Sequence, residues 1–248
     1  MRSKLGLSLI VVLLVVFGTS SLTLSNRNKS ESGQDKKQPD LSHFPLVDYD
    51  VAAQSDPNKD ARRQKKSKKY NSKHVPQINE STEIFHISDW DRGLPALPVS
   101  RSAAILIGEI TEARAYLSEN KTNIYSEFTI RVDEILKNDL KNPLTPGGLV
   151  AAEREGGRVR FASGKTVVAT VNHQDMPRTG KKYVLFLMHF SLSAAEAEDF
   201  YLLTGYELRE GSVFPLDKVL DGHPITRYKG TPAQAFLADL DAAIARGD

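Results

Sequence analysis

The chain reads as a mostly-β body, a small barrel or sandwich, with one C-terminal helix, preceded by an apolar N-terminal segment and a polar tether. Two observations carry the body. Between Ser102 and Leu216 the sequence is a succession of β-branched and aromatic runs separated by Gly, Pro and polar turn signals. After Thr231 the apolar period changes from two to about 3.6, the spacing of a helix with one buried face.

The N-terminal segment sets the compartment. Arg2 and Lys4 precede LGLSLIVVLLVVFG, which carries no charge, and TSSLTL extends it to about the 20 residues that cross hydrocarbon. A basic start and an apolar core are the layout of a secretory signal. Gly18 and Ser20 could serve a peptidase, whereas the run into Leu22 and Leu24 favours an uncleaved anchor; both readings of residues 1–24 stay open. A lipoprotein is excluded, because the chain has no cysteine to carry the lipid. The expected location is outside the cytoplasm, anchored through residues 5–24 if uncleaved, secreted or periplasmic if cleaved. Arg27, Lys29, Lys36 and Lys37 follow the segment, opposite to the usual bias for an anchor whose N-terminus stays inside. Long downstream domains translocate largely regardless of such charge, so an external body is still expected.

Residues 25–83 read as a disordered tether, rich in Ser, Asn, Gln, Lys and Asp and without apolar period. Within it, RRQKKSKK packs six cations into eight residues: Arg62, Arg63, Lys65, Lys66, Lys68 and Lys69. Such a run contacts anionic surfaces or nucleic acid, or serves as a self-repelling solvated spacer, the reading preferred here. From Asn26 to Glu80 twelve basic residues face eight acidic ones, while Ser81–Asp248 carries 19 against 23. The body is thus mildly acidic, which argues against nucleic acid as its partner.

The β domain is expected over 84–248. Ile84–Val99 is an extended lead-in, because residues before the prolines of LPALP avoid the helical region. AAILIGEIT opens the strands, and Ala113–Asn123 reads as a polar loop. In IYSEFTIRVDEIL, Ile124, Phe128, Ile130 and Val132 share one face, and Glu127, Thr129, Arg131 and Asp133 the other, the signature of a half-buried strand. Gly156-Gly157 predicts a two-residue hairpin, with Glu155 opposite Arg158 and Glu153 opposite Arg160. Tyr183–Phe190 is nearly all apolar and reads as a strand covered on both faces. Further turns fall at Pro177–Gly180, Ser191–Glu198 and Glu210-Gly211.

The helix is expected over 231–247. Thr231 as N-cap, Pro232 behind it and Gln234 at the third position predict a capping box. Phe236, Leu237, Leu240 and Ile244 make the buried stripe, and Gly247 the stop.

No catalytic, cofactor or metal motif emerges. SGKT at Ser163–Thr166 lacks the phosphate-loop glycine, since Val159 stands at that place, and a strand follows where a helix is needed. No G-x-S-x-G or H-E-x-x-H occurs, and without cysteine there are no disulfides, thiolate metal sites or thiol nucleophiles. The six histidines are scattered; His189 reads as a satisfied core or edge histidine. His173 with Asp175 is the one polar-site candidate, and a loop facing water is its plainer reading.

The order ILIGEIT, FTIRVDEILK, GKKYVLFL and GSVFPL, over about Ser102–Asp217, resembles exported bacterial β domains of the OB class, akin to netrin and metalloproteinase-inhibitor barrels. The resemblance implies an OB-like barrel and export. It carries no inhibitory residue across, because those inhibitors chelate zinc through an N-terminal cysteine that this chain lacks.

The expected function is a non-catalytic extracytoplasmic binding or scaffolding module for a protein or an envelope polymer. The alternatives are a cell-envelope hydrolase with an unfamiliar site, and an OB-type nucleic-acid binder using the basic run 62–69.

Overall fold

A computed structural model of the chain describes residues 40–50, 57–81, 84–89, 93–189 and 200–247; side chains are described within these, apart from 57–62 and 84–89. The apolar segment 1–24, the tether up to residue 39 and the Ser191–Glu198 turn lie outside the described residues. Among the described residues no helix is long and apolar enough to cross a membrane.

The strands are β1 (Leu46–Asp48), β2 (Ile84–Asp89), β3 (Ala104–Leu117), β4 (Ile124–Lys137), β5 (Leu149–Glu155), β6 (Gly157–Arg160), β7 (Thr166–Asn172), β8 (Lys182–His189), β9 (Phe200–Arg209) and β10 (Ser212–Pro215). The helices are α1 (Pro57–Lys69) and α2 (Ala233–Arg246), with a 3₁₀ turn at Pro224–Tyr228. Five strands close a barrel in the order β3-β4-β5-β9-β8 and back to β3. Its pairings are antiparallel except β5–β9, which is parallel. A second sheet, β1-β6-β7-β2, has parallel outer pairs and an antiparallel centre.

Side-chain parity explains the layers. Phe128, Ile130 and Val132 of β4 meet Leu106, Ile110, Leu185 and Leu202 inside the barrel, as the alternation of IYSEFTIRVDEIL predicts. In β8, Tyr183, Leu185 and Leu187 face that interior, while Val184 and Phe186 join a second core outside it. The strand is covered on both faces, as its continuous apolarity requires. That outer core receives α2 through Phe236, Leu240 and Ala243, with Phe236 4.7 Å from the Tyr206 ring and 5.0 Å from Tyr228. Leu240→Ala is expected to cost about 2–5 kcal/mol, because a fully buried branched side chain leaves a cavity. Urea unfolding measures it, and an unchanged midpoint would mean α2 is detached.

Four local expectations need correction. β3 does not break at Ala113: it pairs with β4 through Leu117↔Ile124, and only residues 118–123 turn. Bulges absorb the curvature of this long ribbon, and Gly108 lies at one of them, where a Cβ would meet Arg131 O and Ile130 Cγ2 at 2.7 Å. Gly156-Gly157 is a corner between sheets and not a hairpin. Both edges of β5 are filled by β4 and β9, so β6 leaves for β1 and β7. Gly156 holds φ +105°, and a Cβ there would lie 3.0 Å from Ala169 O and 2.8 Å from Met176 Cε. The expected Glu–Arg ladder is therefore absent: Asn123 Nδ2 donates to Glu155 (2.5 Å), Arg158 donates to Phe44 O (2.8 Å), and Arg160 pairs with Asp48 (2.6 Å).

α2 begins at Ala233 with Pro232 as its N-cap and no side-chain cap; Thr231 is occupied instead in pairing with the β9–β10 hairpin, its carbonyl accepting from Val213 N (2.9 Å). The stop is as expected, with Gly247 left-handed at φ 74°. The largest correction concerns the tether. Over its described parts, residues 25–83 are built into the body: Phe44 sits in the barrel core, β1 pairs with β6, α1 lies on the barrel, and Tyr70 and Ile78 are buried.

Candidate functional site

The outward faces of β3, β4 and β5 carry a patch whose register follows from strand pairing. Tyr116 stands opposite Tyr125, Arg114 opposite Glu127, and Glu112 opposite Thr129. Across the next ladder Glu127 faces Glu153 and Thr129 faces Ala151. Two carboxylates directly opposed on neighbouring strands repel. The chain resolves that conflict with α1. Arg63, Lys66 and Lys69, spaced i, i+3 and i+6, lie on one helix face. Lys66 donates to Glu127, Lys69 to Glu153, and the Arg63 guanidinium sits 5.1 Å from the Tyr116 ring centre. Lys68 lies 3.7 Å from Glu119.

Of the six residues expected to meet an anionic surface, then, Arg63, Lys66 and Lys69 turn inward onto the protein's own acidic face. Lys65 is exposed and Lys68 is 60% exposed; the Arg62 side chain lies outside the described residues.

Between α1 and the strands lies a cleft of about 340 Å³. Arg63 and Lys66 form one wall; Glu112, Arg114, Tyr116, Tyr125, Glu127, Thr129 and Ala151 form the other and the floor. Arg114 is 61% exposed and held by Glu112, to which its Nε donates at 2.9 Å. Tyr116 stacks on Tyr125 at 5.4 Å, and Tyr125 on the buried Tyr70 at 4.5 Å. Burial, then the Glu153 carboxylate, raises the phenol pKa of both Tyr70 and Tyr125, so both remain neutral donors. Three buried atoms of this group, Tyr70 OH, Tyr125 OH and Glu153 Oε2, lack a partner among the described residues. The cleft offers cations and carboxylates for ionic contacts, while Tyr125 is buried between Tyr70 and Tyr116 and Arg63 lies over the Tyr116 ring.

A second polar cluster gathers around the buried Arg154 of β5. Arg154 shares the parity of Val150 and Ala152 and is fully buried. Its guanidinium donates to Asp175 O, Leu203 O (3.1 Å) and Asp217 Oδ2 (2.9 Å). Thr204 donates to the same carboxylate at 2.7 Å, and Asp175 N to its other oxygen at 3.0 Å. The Asp175 carboxylate receives His43 Nε2 at 2.6 Å and Lys218 Nζ at 2.9 Å. Asp175 is thus at a polar site, but with a different histidine. His173 is exposed at a turn with φ 65°, and the histidine that reaches Asp175 comes from 132 positions earlier. His189, the last residue of β8, has its Nε2 2.8 Å from Asp139 and stacks on Phe200, while its buried Nδ1 lacks a hydrogen-bond partner among the described residues.

Burial alone would raise the Asp175 pKa, but hydrogen bonds from His43 and Lys218 outweigh it and hold the carboxyl below its ordinary range. A depressed folded value means stability that is present above the unfolded carboxyl pKa of about 3.9 and lost as pH falls through the folded one. The stability difference between the native protein and Asp175→Asn should therefore be flat above about pH 5 and shrink below about pH 4. Urea titrations across that range check it.

Sequence reasoning missed the cleft. The signal available was the i, i+3, i+6 spacing inside the basic run, together with Tyr125, Glu127 and Thr129 alternating on the polar face of β4. Among the described residues no group of three or more His, Asp or Glu is arranged to hold a metal. The chain matches no protein-family model, and comparison with curated proteins and with solved structures finds no match either.

Proposed function

We propose that this chain is an exported, non-catalytic binding module, its barrel of the OB class, which takes a charged envelope polymer in the cleft beside α1. The observation that carries the reading is the cleft itself, where Arg63, Lys66 and Arg114 stand with Glu112 and Glu127 around two tyrosine rings. Guanidinium forks suit carboxylate or phosphate groups, and Glu112 and Glu127 suit hydroxyl or amine donors. The strand order, with its third and fifth barrel strands parallel, supports the OB assignment; the cleft itself is lined mainly by the first and second barrel strands, with Ala151 alone from the third. The N-terminal apolar segment supports export.

The hydrolase reading draws less support. His43 and Asp175 are close, but their side chains are only 9% and 10% exposed and they bind a buried network. The test is calorimetric titration of the full-length protein with fragments of acidic envelope polysaccharide and with a single-stranded oligonucleotide, beside a broad hydrolase screen. Polysaccharide binding that weakens at least about tenfold in Tyr116→Ala and Arg114→Ala supports the proposal. Tight, steeply salt-dependent oligonucleotide binding alone would replace it with the nucleic-acid reading. Turnover that disappears in Asp175→Asn with the fold intact would install the enzyme.

A further inference from the structure

We propose that Tyr70, Tyr125 and Glu153 form an internal binding site for one neutral, hydroxyl-sized guest, a water molecule, between the C-terminal end of α1 and the barrel. The inference goes beyond the cleft's ligand and holds whatever the cleft binds.

Strand register brings two of the three residues together. Tyr125 stands opposite Glu155, and Glu127 opposite Glu153, so Tyr125 and Glu153 are diagonal neighbours on one face of the β4–β5 pair. Such neighbours lie about 7–8 Å apart along the backbone, within reach of an aromatic side chain. Tyr70, the residue after α1, supplies the third group, its ring 4.5 Å from that of Tyr125 and within 10° of parallel. Lys69 ties these parts to one another: its Nζ donates to Glu153 Oε1 and lies 5.3 Å from the centre of the Tyr70 ring. After burial, the Glu153 carboxylate is also the largest influence raising both phenol pKa values, as expected of a charge close to both rings.

The three side chains are almost wholly buried, Tyr70 at 7% exposure and Tyr125 and Glu153 at 1% each. Tyr70 OH, Tyr125 OH and Glu153 Oε2 all lack a hydrogen-bond partner among the described residues, so none of the three bonds another directly. A buried polar atom left unbonded is costly, and native proteins rarely keep one. Three in one cluster match the usual surroundings of an internal water, which makes about three bonds to groups of this kind.

The chemistry of the three atoms selects the guest. Each neutral phenol has one O–H to donate and an oxygen that accepts, whereas a carboxylate oxygen only accepts. The guest must therefore donate to Glu153 Oε2 and exchange one bond with each hydroxyl. Water does this with its two protons and two lone pairs. A cation fits poorly, because the Lys69 ammonium already holds the other oxygen of the same carboxylate and would repel it. The three atoms are sealed from solvent, which excludes the hydroxyl of a polymer lying in the cleft. Tyr125 lines that cleft, so the bound water ties its floor to the residue that follows α1.

The tests use the full-length protein. Magnetic relaxation dispersion of the water oxygen counts molecules held inside for longer than the protein takes to tumble. The double variant Tyr70→Phe, Tyr125→Phe should hold one fewer than the native chain. Urea unfolding gives an independent sign. Each single variant should lower the midpoint by removing a bond to the water, and the double variant should lose less than the two losses added, because both hydroxyls share one guest. A hydroxyl buried with no partner behaves oppositely, its removal raising the midpoint. A crystal structure should place one water at about 2.5–3.0 Å from both phenol oxygens and Glu153 Oε2. Equal water counts in the native and double-variant proteins would overturn the proposal, as would midpoints raised by both single variants. Density at about 2.3–2.6 Å from the three oxygens, the spacing of a calcium ion, would overturn the neutral guest in favour of a metal.

Discussion

Arg154→Met is expected to cost about 3–5 kcal/mol, because it leaves a charged partner buried and uncompensated. Arg154 and Asp217 are both fully inaccessible, and the arginine also satisfies the carbonyls of Asp175 and Leu203. Truncation would leave Asp217 with Thr204 and one backbone N–H, too little to offset a dry carboxylate. The double variant Arg154→Met, Asp217→Asn should cost less than the two single changes added, with a coupling in the range of about 0.5–3 kcal/mol for a contacting pair. Urea unfolding at constant slope measures all three. A single-variant loss under about 1 kcal/mol would mean that water reaches the guanidinium.

Phe44→Ala is expected to cost about 3–5 kcal/mol, the usual range for removing a core aromatic ring. Phe44 is 2% exposed, packs in the same core as Met176 and Leu216, and its carbonyl accepts from Arg158. Nearby Leu46 is 37% exposed, so Leu46→Ala should move the midpoint far less. The comparison separates a docked strand from a free tether: a tether would give no loss from either change.

Several features were legible because they are local. The alternation in β4, the two-sided apolarity of β8 and the stripe of α2 follow from which side chains share a face, and that is set by residue spacing. The tight turn at Glu210-Gly211 was legible too: φ of 51° and 74° are the paired positive values of a hairpin turn, and the glycine announces them.

The errors share a different cause. Gly156-Gly157 has the composition of a hairpin, but whether β5 and β6 pair depends on whether β5 has a free edge, and β4 with β9 leave none. Residues 40–81 are too polar to advertise burial. Phe44, Tyr70 and Ile78 are widely spaced anchors, each inserted singly into a pocket made by other segments. The cleft and the His43–Asp175 contact likewise join residues far apart in the chain. By itself the sequence determined the β character, the faces of the main strands and the C-terminal helix, because side-chain period and backbone conformation are set within a few residues. Tertiary structure alone decided which carboxylate meets which cation, and that a basic, polar stretch folds as a helix on the barrel. Those outcomes follow from the charge left unpaired when β3, β4 and β5 come together, which no local segment carries.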